Sequence, residues 1–153
     1  MKLKRTIFLL LFSALACSSF AQLKWTAFID LNDSLKQEAK PLLIFLHTDW
    51  CKICKMQENV VFADLEIAEL INQNVYALKL NAESEKEIRF LGKLYQGANS
   101  SSHHELAIFL GSKEEELSFP TTILINQDLQ PLGIYNSYLN KEKMKELVEA
   151  LSN

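Results

Sequence analysis

Glycine, proline and cysteine are all scarce in this chain, at 4, 3 and 3 of 153 residues. So little glycine and proline excludes collagen-like and linker-rich designs. Three cysteines are too few for a scaffold in which several disulfides replace a core. An excess of positive charge is missing too. Lys and Arg number 16 against 19 Asp and Glu, a formal net charge of −3. With no basic stripe and no RNA-binding aromatic motif, nucleic acid is not an expected partner. No apolar run is long enough to span a bilayer as a helix. Repeats and low-complexity blocks are absent as well. What remains is ordinary globular material, 48% hydrophobic and 23% charged. One domain of this size buries a real core without staples, so its cysteines are free for other work.

The first residues read as an export signal. Lys2, Lys4 and Arg5 precede an apolar stretch over 7–16, and Ser19-Phe20-Ala21 sets small residues before a cut at Gln22. The expected organisation is a signal peptide over 1–21 and one domain over 22–153, periplasmic or secreted. A lipid-anchored alternative uses Ala14-Leu15-Ala16-Cys17, with Cys17 modified. Ala14 is smaller than the aliphatic residue usual at that position, which favours the soluble product. The cut removes Cys17 and three positive charges, taking the net charge from −3 to −6 and leaving Cys51 and Cys54.

Apolar runs over 42–46 and 75–80 predict buried strands, and 121–125 and 132–135 an antiparallel pair about a turn at 126–130. An edge strand is expected over 25–29. Helices are expected over 33–40, ended by Pro41; over 65–72, capped by Asp64, with Leu65, Ala68 and Ile71 on one face; and over 83–95, with Ile88, Leu91, Leu94 and Tyr95 aligned. After a polar loop at 96–102, Ser102 and Glu105 form a capping box for a short helix that turns Leu106, Phe109 and Leu110 inward and ends at Gly111. Asn140 caps a last helix carrying Met144, Leu147, Val148 and Leu151. This order gives an α/β sandwich around a mixed sheet.

The chemistry concentrates in Trp50-Cys51-Lys52-Ile53-Cys54-Lys55, directly after the 42–46 strand. A thiol at a helix N-terminus meets the positive end of the backbone dipole, which favours thiolate, the attacking form. A second cysteine within one turn can resolve the mixed disulfide. The pattern therefore points to reversible dithiol/disulfide exchange. A structural disulfide is the bland alternative, and so short a loop makes a poor staple. The sharper rival is copper or zinc held by Cys51 and Cys54 with His47, or with His103 and His104. His103 and His104 are otherwise expected in solvent on a first helical turn, Glu114-Glu115-Glu116 on a solvated loop, and Tyr135 and Tyr138 in packing.

With Lys79 in Leu78-Lys79-Leu80-Asn81 and Phe119-Pro120-Thr121 before a strand, the chain resembles the thioredoxin superfamily over nearly all of 22–153. The wording Lys40-Pro41-Leu42-Leu43, Trp50-Cys51 and Val61-Phe62-Ala63-Asp64 is similar to a bacterial envelope branch that includes the C-terminal domain of the transmembrane disulfide reductase. The resemblance implies a thioredoxin-like fold and protein disulfide reduction or exchange. Cys51 would be the exposed nucleophile and Cys54 the buried resolving cysteine. Pro120 would be a cis-proline beside them, with Phe119 and Thr121 around it. Trp50 would flank the site, and Lys79 would be a buried lysine near Cys54. Lys52, Lys79 and His47 would tune the electrostatics. It implies no metal and no cofactor beyond the Cys51–Cys54 pair. The implied partners are protein disulfide substrates and a redox partner, such as a membrane reductase, that resets the pair.

Three departures stand out. Phe45 occupies the position of a buried aspartate that assists proton transfer, leaving His47, Asp49 or a water as substitutes. The residues between the cysteines are Lys52-Ile53 rather than Gly-Pro. The segment from Asn81 to Phe119 is longer than in the minimal fold by roughly twenty residues, a helical and loop insertion expected to shape partner choice.

Overall fold

Leu42–His47 is apolar on both faces, and all six residues are buried, as a central strand requires. In the computed structural model, which describes residues 22–112 and 116–151, this strand lies at the middle of an α/β/α sandwich. In chain order the elements are α1 (Phe28–Gln37), β1 (Leu42–His47), α2 (Lys52–Gln57) running into a π-helical turn (Glu58–Phe62), and α3 (Leu65–Asn74). There follow β2 (Tyr76–Asn81), a hairpin of β3 (Ile88–Phe90) and β4 (Lys93–Tyr95), α4 (Glu105–Gly111), β5 (Thr121–Ile125), β6 (Pro131–Tyr135) and α5 (Lys141–Leu151). The sheet order is β2-β1-β5-β6. β2 is parallel to β1, whereas β5 and β6 run antiparallel to their neighbours. This is the mixed sheet flanked by helices that the sequence predicts.

The alternation of β1 splits the core in two. Leu43 and Phe45 face a cluster with Cys51, Cys54, Phe62, Ile71, Met144 and Val148, so α2, α3 and α5 cover that side; Tyr135 and Tyr138 pack at its edge. Leu42, Ile44 and Leu46 face Leu31, Phe90, Tyr95, Leu106 and Leu110, so α1, the hairpin and α4 cover the other. Asp64 caps α3 by accepting the N–H groups of Glu66 and Ile67, and Asn140 caps α5 by accepting that of Lys143.

Five local expectations are corrected. No strand covers 25–29: Trp25 makes a single parallel bridge to Ala77, and α1 begins at Phe28 because Phe28, Leu31 and Leu35 at helical spacing face the second cluster. The expected helix over 83–95 is the β3–β4 hairpin. Leu91 and Gly92 form its turn at φ 48° and 86°, and that left-handed pair cannot continue a right-handed helix. The short helix is capped by His104 rather than Ser102, and Glu105 instead accepts the N–H of Gln96. Phe109 points outward, 61% exposed, while Leu106, Ala107 and Leu110 turn inward; on α3 it is Ile67, not Leu65, that joins Ala68 and Ile71. The predicted signal peptide, Cys17, Glu114 and Glu115 lie outside the described residues.

Candidate active site

Cys51 is the N-cap of α2, and its Sγ accepts the N–H of Cys54 at 3.1 Å. The two sulfurs are joined in a disulfide of 2.04 Å. Sulfur at this position is exposed to the partial positive charge of the first helical turn, which stabilises developing thiolate on Cys51. Cys51 keeps 4% of its surface and Cys54 none. The exposed setting implied for Cys51 is therefore not seen, because its sulfur folds over the helix end and packs into the core cluster.

Two aromatic residues frame the pair. Trp50, 65% exposed, donates its indole N–H to Glu83 at 2.8 Å and meets Phe119 edge to face at 6.2 Å. Phe119 precedes Pro120 through a cis peptide bond. Leu46 pairs with Thr121, so Pro120 falls beside the end of β1, where the chain leaves the sheet for Cys51. Thr121 is fully buried and donates its hydroxyl to the Ser118 carbonyl. Buried Gln57 ties the redox helix to this strand: its amide donates to Thr122 at 3.4 Å and its carbonyl accepts the N–H of Leu139.

Behind the pair lies a polar chamber of about 200 Å³ lined by His47, Thr48, Asp49, Lys55, Glu58, Asn59 and Lys79. Lys79 ion-pairs with Glu58, both side chains largely covered. Glu58 stands one turn after Cys54, and its N–H returns to the Cys54 carbonyl. His47 stacks on Phe45 at 5.9 Å. Burial first, then the Lys79 charge, push His47 below the ordinary imidazole value of 6.5, against weaker upward pulls from Glu58, Thr48 and Asp49. Lys79 is thus a largely covered, paired cation facing this chamber. Lys52 is exposed on the first turn of α2.

Among the described residues no three His, Cys, Asp or Glu side chains are grouped to hold a metal ion. His104 is fully buried: its Nδ1 caps Leu106 and its Nε2 lies 3.0 Å from the Lys86 carbonyl. The solvent setting expected for it is corrected, because both ring nitrogens are occupied inside the insertion. His103 packs edge-on against Phe119 at 5.5 Å.

A disulfide on a strand-to-helix junction, next to a cis-proline strand, is the arrangement on which the comparisons bear. The thioredoxin-like domain family matches residues 28–152. The chain belongs to that family. This thioredoxin-like protein resembles the solved structure of the DsbH oxidoreductase with a TM-score of 0.59, at 15% identity, over 86% of this chain and 85% of that one. A thioredoxin from Thermus thermophilus gives 0.60 at 11% identity, over 84% and 86%. The oxidised DsbD C-terminal domain of Neisseria meningitidis gives 0.54 at 14%, over 83% and 97%. At such identities the likeness is one of fold. No curated protein sequence matches the chain.

The thioredoxin-like fold brings Cys51, Cys54, Trp50, Phe119 and Pro120 together from separate stretches. It also recruits Gln57, Glu58 and Glu83, which the sequence reading did not single out. Glu58 could have been found by its helical spacing from Cys54. Nothing local marks Glu83, whose role comes from a partner 33 residues away.

Proposed function

We propose that this protein is an exported thiol–disulfide oxidoreductase acting on protein disulfides. The observation that carries the reading is the Cys51–Cys54 disulfide at the start of α2, with the Cys51 sulfur in the field of the helix N-terminus. In the reduced form, Cys51 thiolate attacks one sulfur of a substrate disulfide. That bond breaks, and the departing thiolate takes a proton. Cys54, on losing its own proton, attacks the Cys51 sulfur of the mixed disulfide. The second substrate thiol leaves, and the Cys51–Cys54 bond forms, two electrons having passed to the substrate. A dithiol partner returns the two electrons, and run backwards the same steps oxidise a substrate.

Trp50, Phe119, Pro120 and Thr121 shape the substrate groove in this reading, and Lys52, Lys79 and His47 set the local field. The disulfide itself is the redox group, so the cycle needs no other cofactor or metal. The basic, then apolar, start of the chain supports export of residues 22–153 to the periplasm or beyond, where a membrane reductase is the expected source of electrons. Likeness to DsbH, named an oxidoreductase, supports the same reading. Reduction of insulin disulfides by the reduced protein tests it: Cys51→Ser should abolish turnover, and equal rates for the two forms would sink the catalytic role.

A further inference from the structure

The segment between β2 and β5 builds a second cavity that opens beside the redox pair. Glu83, Glu85, the 98–102 loop and His103 line an open recess of about 350 Å³. Two of its walls also belong to the redox site. Glu83 holds the Trp50 indole, and the His103 ring packs against Phe119 next to Pro120. A polypeptide lying across Trp50 and Phe119 to reach the disulfide therefore passes onto this cavity.

Its frame is fixed before any guest arrives. Ala98 donates its N–H to the Ser84 carbonyl at 2.7 Å, and His104 to the Ala82 carbonyl at 2.8 Å. A Cβ on Gly97 would sit 2.1 Å from the Glu85 carbonyl oxygen, so these backbones touch only because that residue is glycine. The lining is rich in acceptors. One Glu83 oxygen is used by Trp50, no ion pair engages Glu85 among the described residues, and neither Lys nor Arg lines the cavity. The chamber beside α2 is balanced instead, with Lys55 and Lys79 set against Asp49 and Glu58. A positive side chain is thus drawn to the insertion side, where the acids are not offset by a lysine or arginine in the lining.

We propose that this cavity is a specificity subsite that takes a lysine or arginine of the substrate polypeptide, close in sequence to the cysteine that reacts with Cys51. The inference rests on reading Cys51–Cys54 as a working redox pair. It is tested with the reduced full-length domain and disulfide-linked peptides that differ in one flanking residue, Arg or Glu. Hydroxyethyl disulfide, uncharged and too small to reach the cavity, gauges the redox pair itself. The Arg peptide should exceed the Glu peptide in kcat/KM by about tenfold at low salt, with the ratio shrinking as salt screens the contact. Glu85→Gln should bring the ratio towards one, and Glu85→Lys should invert it. Equal kcat/KM for the two peptides, with hydroxyethyl disulfide still reduced, overturns the subsite and leaves the redox reading standing. An Arg preference that survives Glu85→Lys overturns it too. Failure of the wild type to reduce hydroxyethyl disulfide overturns the redox reading, and the subsite with it.

Discussion

Phe45 explains why an acid is missing where the resemblance implies one. Its ring is fully buried, meets Phe62 edge to face at 5.0 Å and stacks near Trp25 at 6.3 Å, and Trp25 and Phe62 themselves meet at 5.1 Å. The three rings fill the space in which a carboxylate would sit, and Lys79, the cation beside Phe45 on β2, is already paired with Glu58. Polar chemistry has moved two residues along β1 to His47 and the chamber of Glu58 and Lys79. Phe45→Asp should therefore destabilise rather than restore the acid of the wider family. Loss of the buried ring costs about 3–5 kcal/mol, and a buried carboxylate that must compete with Glu58 for Lys79 adds to that. Urea unfolding of the two proteins measures the difference. A Phe45→Asp variant as stable as wild type would show that the ring box contributes little.

At the scale of elements, the four strands of the main sheet and the redox helix were legible because their signals are local. A run of buried residues, a cysteine N-cap and the Asp64 and Asn140 caps each act within a few residues. The insertion was not legible, because residues 83–95 carry apolar side chains at spacings that satisfy a helix by coincidence. The alternation that won is Ile88 and Phe90 against Tyr95, with Leu91 and Leu94 left at the surface. The overlooked signal was the glycine of Leu91-Gly92, a two-residue hairpin turn with both residues at positive φ. Leu91 is a poor occupant of that conformation, since its Cβ crowds the backbone, whereas asparagine tolerates it. Leu91→Asn should stabilise the protein by about 0.5–1 kcal/mol, seen as a higher thermal midpoint. A lower midpoint would mean that the partly covered Leu91 side chain contributes more than the turn costs. The burial of His104 was not legible for a different reason: Leu106 is a local partner, but the Lys86 carbonyl reaches the ring only once the hairpin has folded back.

For the molecule as a whole, two histidines couple stability to acid. The Lys86 carbonyl can only accept and the Leu106 N–H can only donate, so His104 carries its proton on Nε2 and keeps Nδ1 bare. Burial lowers its affinity for a second proton below the usual 6.5, against upward pulls from the Lys86 contact and the Glu105 charge, and His47 is lowered in the same direction. Both groups are neutral in the folded and unfolded chains above pH 6.5, so their full contribution is present there. As pH falls through 6.5, the unfolded chain takes up protons that the fold refuses, and stability declines until the folded values are reached. Each imidazole can steepen that decline by up to about 1.4 kcal/mol per pH unit. Asp64, held low by its bond to Lys141 and the α3 N–H groups, extends the loss below its ordinary value of 3.8. Urea midpoints measured from pH 8 to pH 5 should therefore fall with acid. His104→Asn keeps an N-cap acceptor but cannot titrate, so it should flatten the curve between pH 6.5 and 5. A wild-type midpoint constant over that range, or an unchanged slope in the variant, would show that His104 does not carry the acid dependence.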